Sequence, residues 1–236
     1  MVNIERIVRQ MKQGQTGPYL CVGDDNIHYI VKGPNTTYRG LITEWVCAKL
    51  GQSLGLPIPD FDIAYVDGCL LEYGRYELRE GDWFASKYEE NIQDVPYQKL
   101  TELDGTTLKL LFLFDYWIKN GDRNLTALGG NPNLFIRSDL QSIIVLDHNL
   151  AFDPQYDLHT VKRIHVGSTA WFSRQMSLFD KDDYYKRLET SFGGLEVILD
   201  SIPQEWIENC GDNSIREIIR VALARFQTDE FWEGIK

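Results

Sequence analysis

No stretch of this sequence is long and apolar enough to cross a bilayer. The longest apolar run, Leu110 to Phe114, falls far short of the roughly 20 residues a membrane helix requires. Cysteine is sparse: Cys21, Cys47, Cys69 and Cys210 form no C-x-x-C pair and sit among apolar or turn residues, so reduced thiols are expected rather than a disulfide framework. The four histidines are scattered and make no legible zinc site. There is no internal repeat and no Gly, Ser or Pro tract long enough for a flexible linker. The first thirteen residues carry charges throughout and lack a signal-peptide core, which together with the missing span makes a cytoplasmic protein the expectation. Positive charge is also short, with 24 Lys and Arg against 35 Asp and Glu and a formal net charge of −11. A chain so acidic repels phosphate backbones, which argues against general nucleic-acid binding. The six basic residues between Lys162 and Arg187 are interrupted by acids and read as an ordinary solvated surface.

What is present suits a packed core. The chain has 236 residues, 43% of them hydrophobic, enough for one large domain or two small lobes sharing a cleft. In the first hundred residues strand signals dominate. Tyr19 to Val22 and Ile27 to Lys32 flank the turn sequence Gly23-Asp24-Asp25-Asn26, which predicts a hairpin. Leu41, Trp45 and Ala48 recur at helical spacing, with Gly51 or Gly55 available as a stop. Phe61 to Val66 and Cys69 to Tyr73 flank Asp67-Gly68 and predict a second hairpin. The second half reads as mainly helix. Thr107 to Ile118 is apolar nearly all round, as a buried central helix would be, with Asn120-Gly121 as its stop. Asn133 to Arg137 and Ser142 to Leu146 predict a short hairpin around Ser138-Asp139. Pro203 opens a helix that Gly211 closes, and Ser214 with Glu217 forms a capping box ahead of the stripe Ile215, Ile218, Ile219, Ala222, Leu223 and Phe226. Strands followed by helices make an α+β arrangement, with the break between Tyr73 and Lys99.

Phosphoryl transfer needs donors over the phosphates, a lysine on them, a carboxylate to hold that lysine, a base near the acceptor hydroxyl, and oxygen ligands for Mg²⁺. The sequence offers these parts in order. Gly14-Gln15-Thr16-Gly17 precedes the first hairpin, and its glycines would let backbone N–H groups approach phosphate oxygens, although a plain turn has the same composition. Lys32 ends an apolar strand, and Glu44 lies on the packing stripe of the next helix. A carboxylate on such a stripe needs a partner, and Lys32 is the natural one. Asp122 follows the buried helix, where a base can be held rigidly. Asn133 precedes the strand Leu134-Phe-Ile136, and Asp147 ends Ile143-Ile-Val-Leu; both are candidate hard-metal ligands.

With these residues in view, the chain resembles the HipA-like kinases, a branch of the protein-kinase-like superfamily. The resemblance rests on Tyr29-Ile-Val-Lys32, on Thr43-Glu44 with Ala48-Lys-Leu-Gly51 and Leu54-Gly-Leu-Pro57, and on Trp117 through Asn120-Gly-Asp-Arg123. It extends through Asn131-Pro-Asn-Leu134 and Ile144-Val-Leu-Asp-His148, and Gly81 to Lys87 looks like the segment joining the lobes of small single-domain members. It covers roughly residues 14 to 153. The resemblance implies a two-lobed fold, about 1–85 strand-rich and 86–236 helical, within one kinase-like domain. It implies ATP and Mg²⁺ as cofactors, Asp122 as base, Lys32 on the phosphates, and Asn133 and Asp147 on the metal. Asp122 and Asn133 lie eleven positions apart, longer than kinases generally use, so Leu125 to Gly130 must loop out and Asn131 or Asn124 stands as an alternative ligand. The expected acceptor is a protein Ser or Thr. A small-molecule or lipid kinase and a nucleotide-binding docking module are the alternatives, the last disfavoured by retention of base and metal ligands together.

Overall fold

A computed structural model describes residues 1–11, 16–72, 74–137 and 142–236. The chain starts on a strand, β1 (Val2–Gln10), in which Val2 and Ile4 turn inward and their neighbours outward. The expected first hairpin is β2 (Tyr19–Gly23) and β3 (His28–Lys32). Asn26 takes φ 62° in its turn, a left-handed conformation that Asn tolerates better than most residues. Helix α1 (Tyr38–Ser53) follows, its first turn capped by the Thr37 hydroxyl accepting from Gly40 N–H. Gly51 stays inside α1, where Ile58 and Phe114 occupy the space a Cβ would need. Gly55, at φ 86°, follows the helix end.

Strands β4 (Phe61–Val66) and β5 (Gly81–Lys87) complete a closed barrel in the order β1-β2-β3-β5-β4. Every neighbouring pair is antiparallel except β1 with β4, where Val2 lies opposite Ala64. A parallel pair needs a long crossover, and the path through β2, β3 and α1 supplies it. Two expectations are corrected here. Cys69 to Tyr73 does not form the second strand of a hairpin: the Asp67 carboxylate accepts from Cys69 N–H at 2.8 Å and winds Gly68–Leu70 into a 3₁₀ turn, and Tyr73 itself lies outside the described residues. Nor is Gly81 to Lys87 a connector. It buries Trp83, Phe84 and Ala85 as the strand between β3 and β4, and the chain leaves the barrel only beyond it.

The next strand, β6 (Ile92–Asp94), belongs to a second sheet. Helix α2 (Gly105–Trp117) is capped by Asp104, which accepts from Thr106 and Thr107 N–H, and it ends before Asn120-Gly121. The hairpin β7 (Asn124–Thr126) and β8 (Gly129–Asn131) precedes β9 (Leu134–Arg137) and β10 (Ile143–Val145). The last two pair antiparallel as expected and join β6 in the order β10-β9-β6; the Ser138-Asp139 turn lies outside the described residues. Seven helices follow: α3 (Leu158–Ile164), α4 (Ser168–Trp171), α5 (Leu178–Gly193), α6 (Leu195–Asp200), α7 (Gln204–Asn209), α8 (Ile215–Ala224) and α9 (Asp229–Gly234). The capping box expected at Ser214 is absent, because its hydroxyl donates to Asp212 instead. Ser177 and Asp180 form one at the start of α5.

The fold is α+β, and one continuous apolar cluster runs from the barrel through α1 and α2 to the terminal helices. Among the described residues no helix is long and apolar enough to cross a membrane. A close approach of backbone to backbone lies where α4 meets α2: a Cβ on Gly167 would stand 2.3 Å from the Leu108 carbonyl oxygen, whereas one on Gly193 would meet nothing. Gly167→Ala therefore destabilises the protein by about 1–3 kcal/mol, while Gly193→Ala leaves stability unchanged or raises it by up to about 1 kcal/mol. Urea unfolding of the two variants checks this contrast.

Candidate active site

Lys32 comes to the end of β3 with its chain buried against the barrel. Its Nζ lies 2.9 Å from Glu44 Oε2 on α1 and 2.8 Å from Asp147 Oδ1, just past β10. Burial by itself would lower the lysine's pKa, but the charges of Asp147 and Glu44 outweigh it and hold the ammonium above the usual lysine range. Burial would likewise raise Glu44, and Lys32 beside it holds the carboxyl well below the usual range. The second anchor of Glu44 is His148, whose backbone N–H donates to Oε2 at 2.8 Å. Glu44 thus ties α1 both to the barrel lysine and to the backbone directly after Asp147.

Asp122 sits past the end of α2, half-buried. Its Oδ2 accepts from Asn131 Nδ2 at 2.7 Å and from Asn133 Nδ2 at 3.2 Å. Burial, then the nearby charge of Asp147, push its pKa up. The insert from Leu125 to Gly130 does loop out, as the β7–β8 hairpin. Asn124 pins that hairpin with both ends of its amide: Nδ2 donates to Asp122 O, and Oδ1 accepts from Asn131 N–H. Asn133 is buried and Asn131 exposed. Asn133 and Asp147 both adopt positive φ, 41° and 62°, the left-handed region that only Asn, Asp and Gly enter readily.

The structure therefore brings Lys32, Glu44, Asp122, Asn133 and Asp147 into one cluster. It does not bring the described part of the glycine segment, Thr16 and Gly17, into contact with them. Gly14 and Gln15 lie outside the described residues. Among the described residues no hydrogen bond or ion pair joins Thr16 or Gly17 to the cluster, and Gly17, at φ 55°, offers its carbonyl to Gln10.

Beneath the cluster lies a polar network that sequence patterns do not indicate. Asp115 and Arg123 are both fully buried, and Arg123 Nε donates to Asp115 Oδ2 at 2.7 Å. Asp115 also accepts from Asn120 Nδ2 at 2.8 Å. His165 Nε2 lies 2.9 Å from it; Gly167 N–H donates to Nδ1, so the Nε2 proton faces the carboxylate. Burial would raise Asp115, but Arg123 and His165 hold it well below the usual carboxylate range. From this footing the guanidinium donates to the backbone carbonyls of Asn133, Leu146 and Asp147. Arg123 thus holds the strained backbone at both candidate metal ligands. The one signal available was a carboxylate in the last turn of a largely apolar helix, where an unpaired charge is prohibitively costly.

The sequence matches the HipA-like kinase family over residues 4–235. The chain belongs to that family. Among curated proteins none matches the sequence. Solved structures share the fold of this HipA-like kinase at low identity. One is a Helicobacter pylori proinflammatory kinase, CtkA, at TM-score 0.59 and 15% identity, covering 98% of this chain and 94% of that one. Another is the Golgi casein kinase with Mn and ADP bound, at TM-score 0.56 and 10% identity, covering 100% and 73%.

Stranding a buried charge costs about 3–5 kcal/mol, whereas replacing both partners of a pair by apolar groups costs much less. Arg123→Met in this kinase accordingly loses about 3–5 kcal/mol of unfolding free energy, and Asp115→Leu/Arg123→Met loses less than either single variant. A double-mutant cycle in urea measures both. Additive losses would mean that the two side chains act independently.

Proposed function

We propose that this HipA-like kinase transfers the γ-phosphoryl group of ATP, with Mg²⁺, to the hydroxyl of a serine or threonine in a protein. The observation that carries this reading is the position of Lys32, bonded to both Glu44 and Asp147 beside Asp122. The barrel with α1, about residues 1–85, would form one wall of the cleft, and residues 86–236 the other.

The donor set fits a divalent cation. Glu44, Asp122 and Asp147 outnumber Lys32, and Arg123 offers no relief because Asp115 already neutralises it. A surplus of hard oxygen ligands is what Mg²⁺ requires. Asp147 and Asn133 would hold it: Asn133 turns Nδ2 toward Asp122, which leaves Oδ1 for a cation. Asn124 is committed at both ends to the hairpin, and Asn131 is exposed on β8, so Asn133 is favoured over either. When bound, the cation supplies charge neutralisation on the phosphate oxygens. Lys32, fixed by Glu44, orients the α- and β-phosphates. Asp122 takes the proton of the acceptor hydroxyl. Its Oδ2 is held by two asparagines, and burial together with Asp147 makes it a stronger base than a free aspartate. The Mn and ADP carried by the Golgi casein kinase structure support nucleotide and divalent metal at this fold's cleft.

Incubation with labelled ATP and Mg²⁺ tests the reading. Asp122→Asn lowers turnover by about 10²–10⁴-fold and leaves nucleotide affinity within a few-fold. Turnover within twofold of wild type would remove Asp122 from the mechanism, and label appearing only in lipid or small molecules would replace the protein acceptor. A second titration separates the asparagines. Asn133→Ala weakens Mg²⁺-dependent nucleotide binding by tenfold or more while Asn131→Ala does not; the reverse order would move the ligand to Asn131.

A further inference from the structure

Helix α1 carries Glu44, so whatever fixes α1 fixes the carboxylate that holds Lys32. Residues of the C-terminal half grip this helix along its length. At its start the Arg39 guanidinium lies 3.0 Å from Asp212, and the Thr43 hydroxyl donates to Asn149 O at 2.8 Å. At its end the Ser53 hydroxyl bonds Ser191 on α5 at 2.7 Å. In the middle, Trp45 Nε1 donates to the Ser201 hydroxyl at 2.9 Å, just past α6. The Trp45 ring meets Trp206 of α7 edge-on at 6.5 Å. Trp206 is fully buried and donates in turn to the Asp82 carbonyl of β5 at 2.7 Å. One indole therefore touches both the helix that carries Glu44 and a strand of the barrel that carries Lys32.

Glu44 and Trp45 are adjacent on α1 and diverge by about 100° around it. The side that offers Glu44 to Lys32 and the side that offers Trp45 to α7 are thus locked together. Eleven of the sixteen residues of α1 are buried, on all its faces. A helix that swings out as a switch needs a wet face to move into, and α1 has none wide enough.

We infer that α6 and α7 are a brace that holds α1 in its paired position, with Trp206 and Ser201 as positioning residues for Glu44. The kinase is thus built in its assembled state rather than switched by displacement of α1. The functional weight of the brace rests on the proposed role of Lys32 and Glu44 at the nucleotide; its mechanical part stands on the contacts alone.

The test compares wild type, Ser201→Ala/Trp206→Phe and Ser201→Thr by amide hydrogen exchange and by phosphotransfer with labelled ATP. Removing both indole bonds speeds exchange across Glu44 to Ala48 by tenfold or more, leaves α2 within twofold, and lowers kcat by fivefold or more. Ser201→Thr, which keeps the hydroxyl, stays within twofold of wild type throughout. Unchanged exchange in α1, equal acceleration in α1 and α2, or a loosened α1 with unchanged kcat would each overturn the brace. If the wild type transfers no phosphate, the proposed activity falls, and the exchange comparison alone decides whether the brace exists. If the double variant fails to fold, Ser201→Ala carries the comparison, because Ser201 is exposed and its hydroxyl makes only the bond accepted from Trp45 and a local one donated to the Ile198 carbonyl of α6.

Discussion

Asp115 has no water to turn to. It lies in the last turn of an apolar helix, and its charge is tolerated only because Arg123, Asn120 and His165 converge on it. That local necessity has a consequence at the surface of the site. An arginine held at its Nε edge by a carboxylate projects its remaining donors in a fixed fork. Here the fork meets the carbonyls of Asn133, Leu146 and Asp147. Two loops with left-handed backbone at the candidate metal ligands are thereby clamped from below, and neither has to rely on its own sequence to hold its shape.

The site above is assembled by competition for few cations. Lys32 is shared between a carboxylate on α1 and one past β10, so a single ammonium links the barrel to the second half of the chain. Because Glu44 also accepts from His148 N–H, the helix and the loop past β10 are joined twice. Asp122 stands outside this pairing, and burial, then the charge of Asp147, raise its pKa. A surplus of negative charge held rigid by buried hydrogen bonds is what the proposed metal and nucleotide would meet there.

Much of this was legible in the sequence because phosphoryl transfer asks for particular residue types at particular places. A lysine at a strand end, a glutamate on a helix stripe and acids directly after a buried helix and a strand are all local signals. The β2–β3 turn and the β9–β10 pairing were equally local. What escaped was whatever depended on distant partners. His165 reaches Asp115 across fifty residues, and no spacing announces it. Strand β1 buries only Val2 and Ile4 firmly, and its outer half is charged, so its alternation is short. Asp67-Gly68 has the composition of a hairpin turn, yet the Asp67 side chain caps Cys69 N–H and turns the chain into a 3₁₀ segment instead. Side-chain capping and strand pairing compete for the same backbone groups, and composition alone does not say which prevails.

The most direct measurement is a crystal structure of the wild-type chain with Mn²⁺ and a non-hydrolysable ATP analogue, with the metal located by its anomalous scattering. The account predicts the ion on the Asp147 carboxylate with Asn133 as the second protein ligand, and Lys32 still bonded to Glu44. An ion held elsewhere, or Lys32 parted from Glu44 with nucleotide in place, would contradict it.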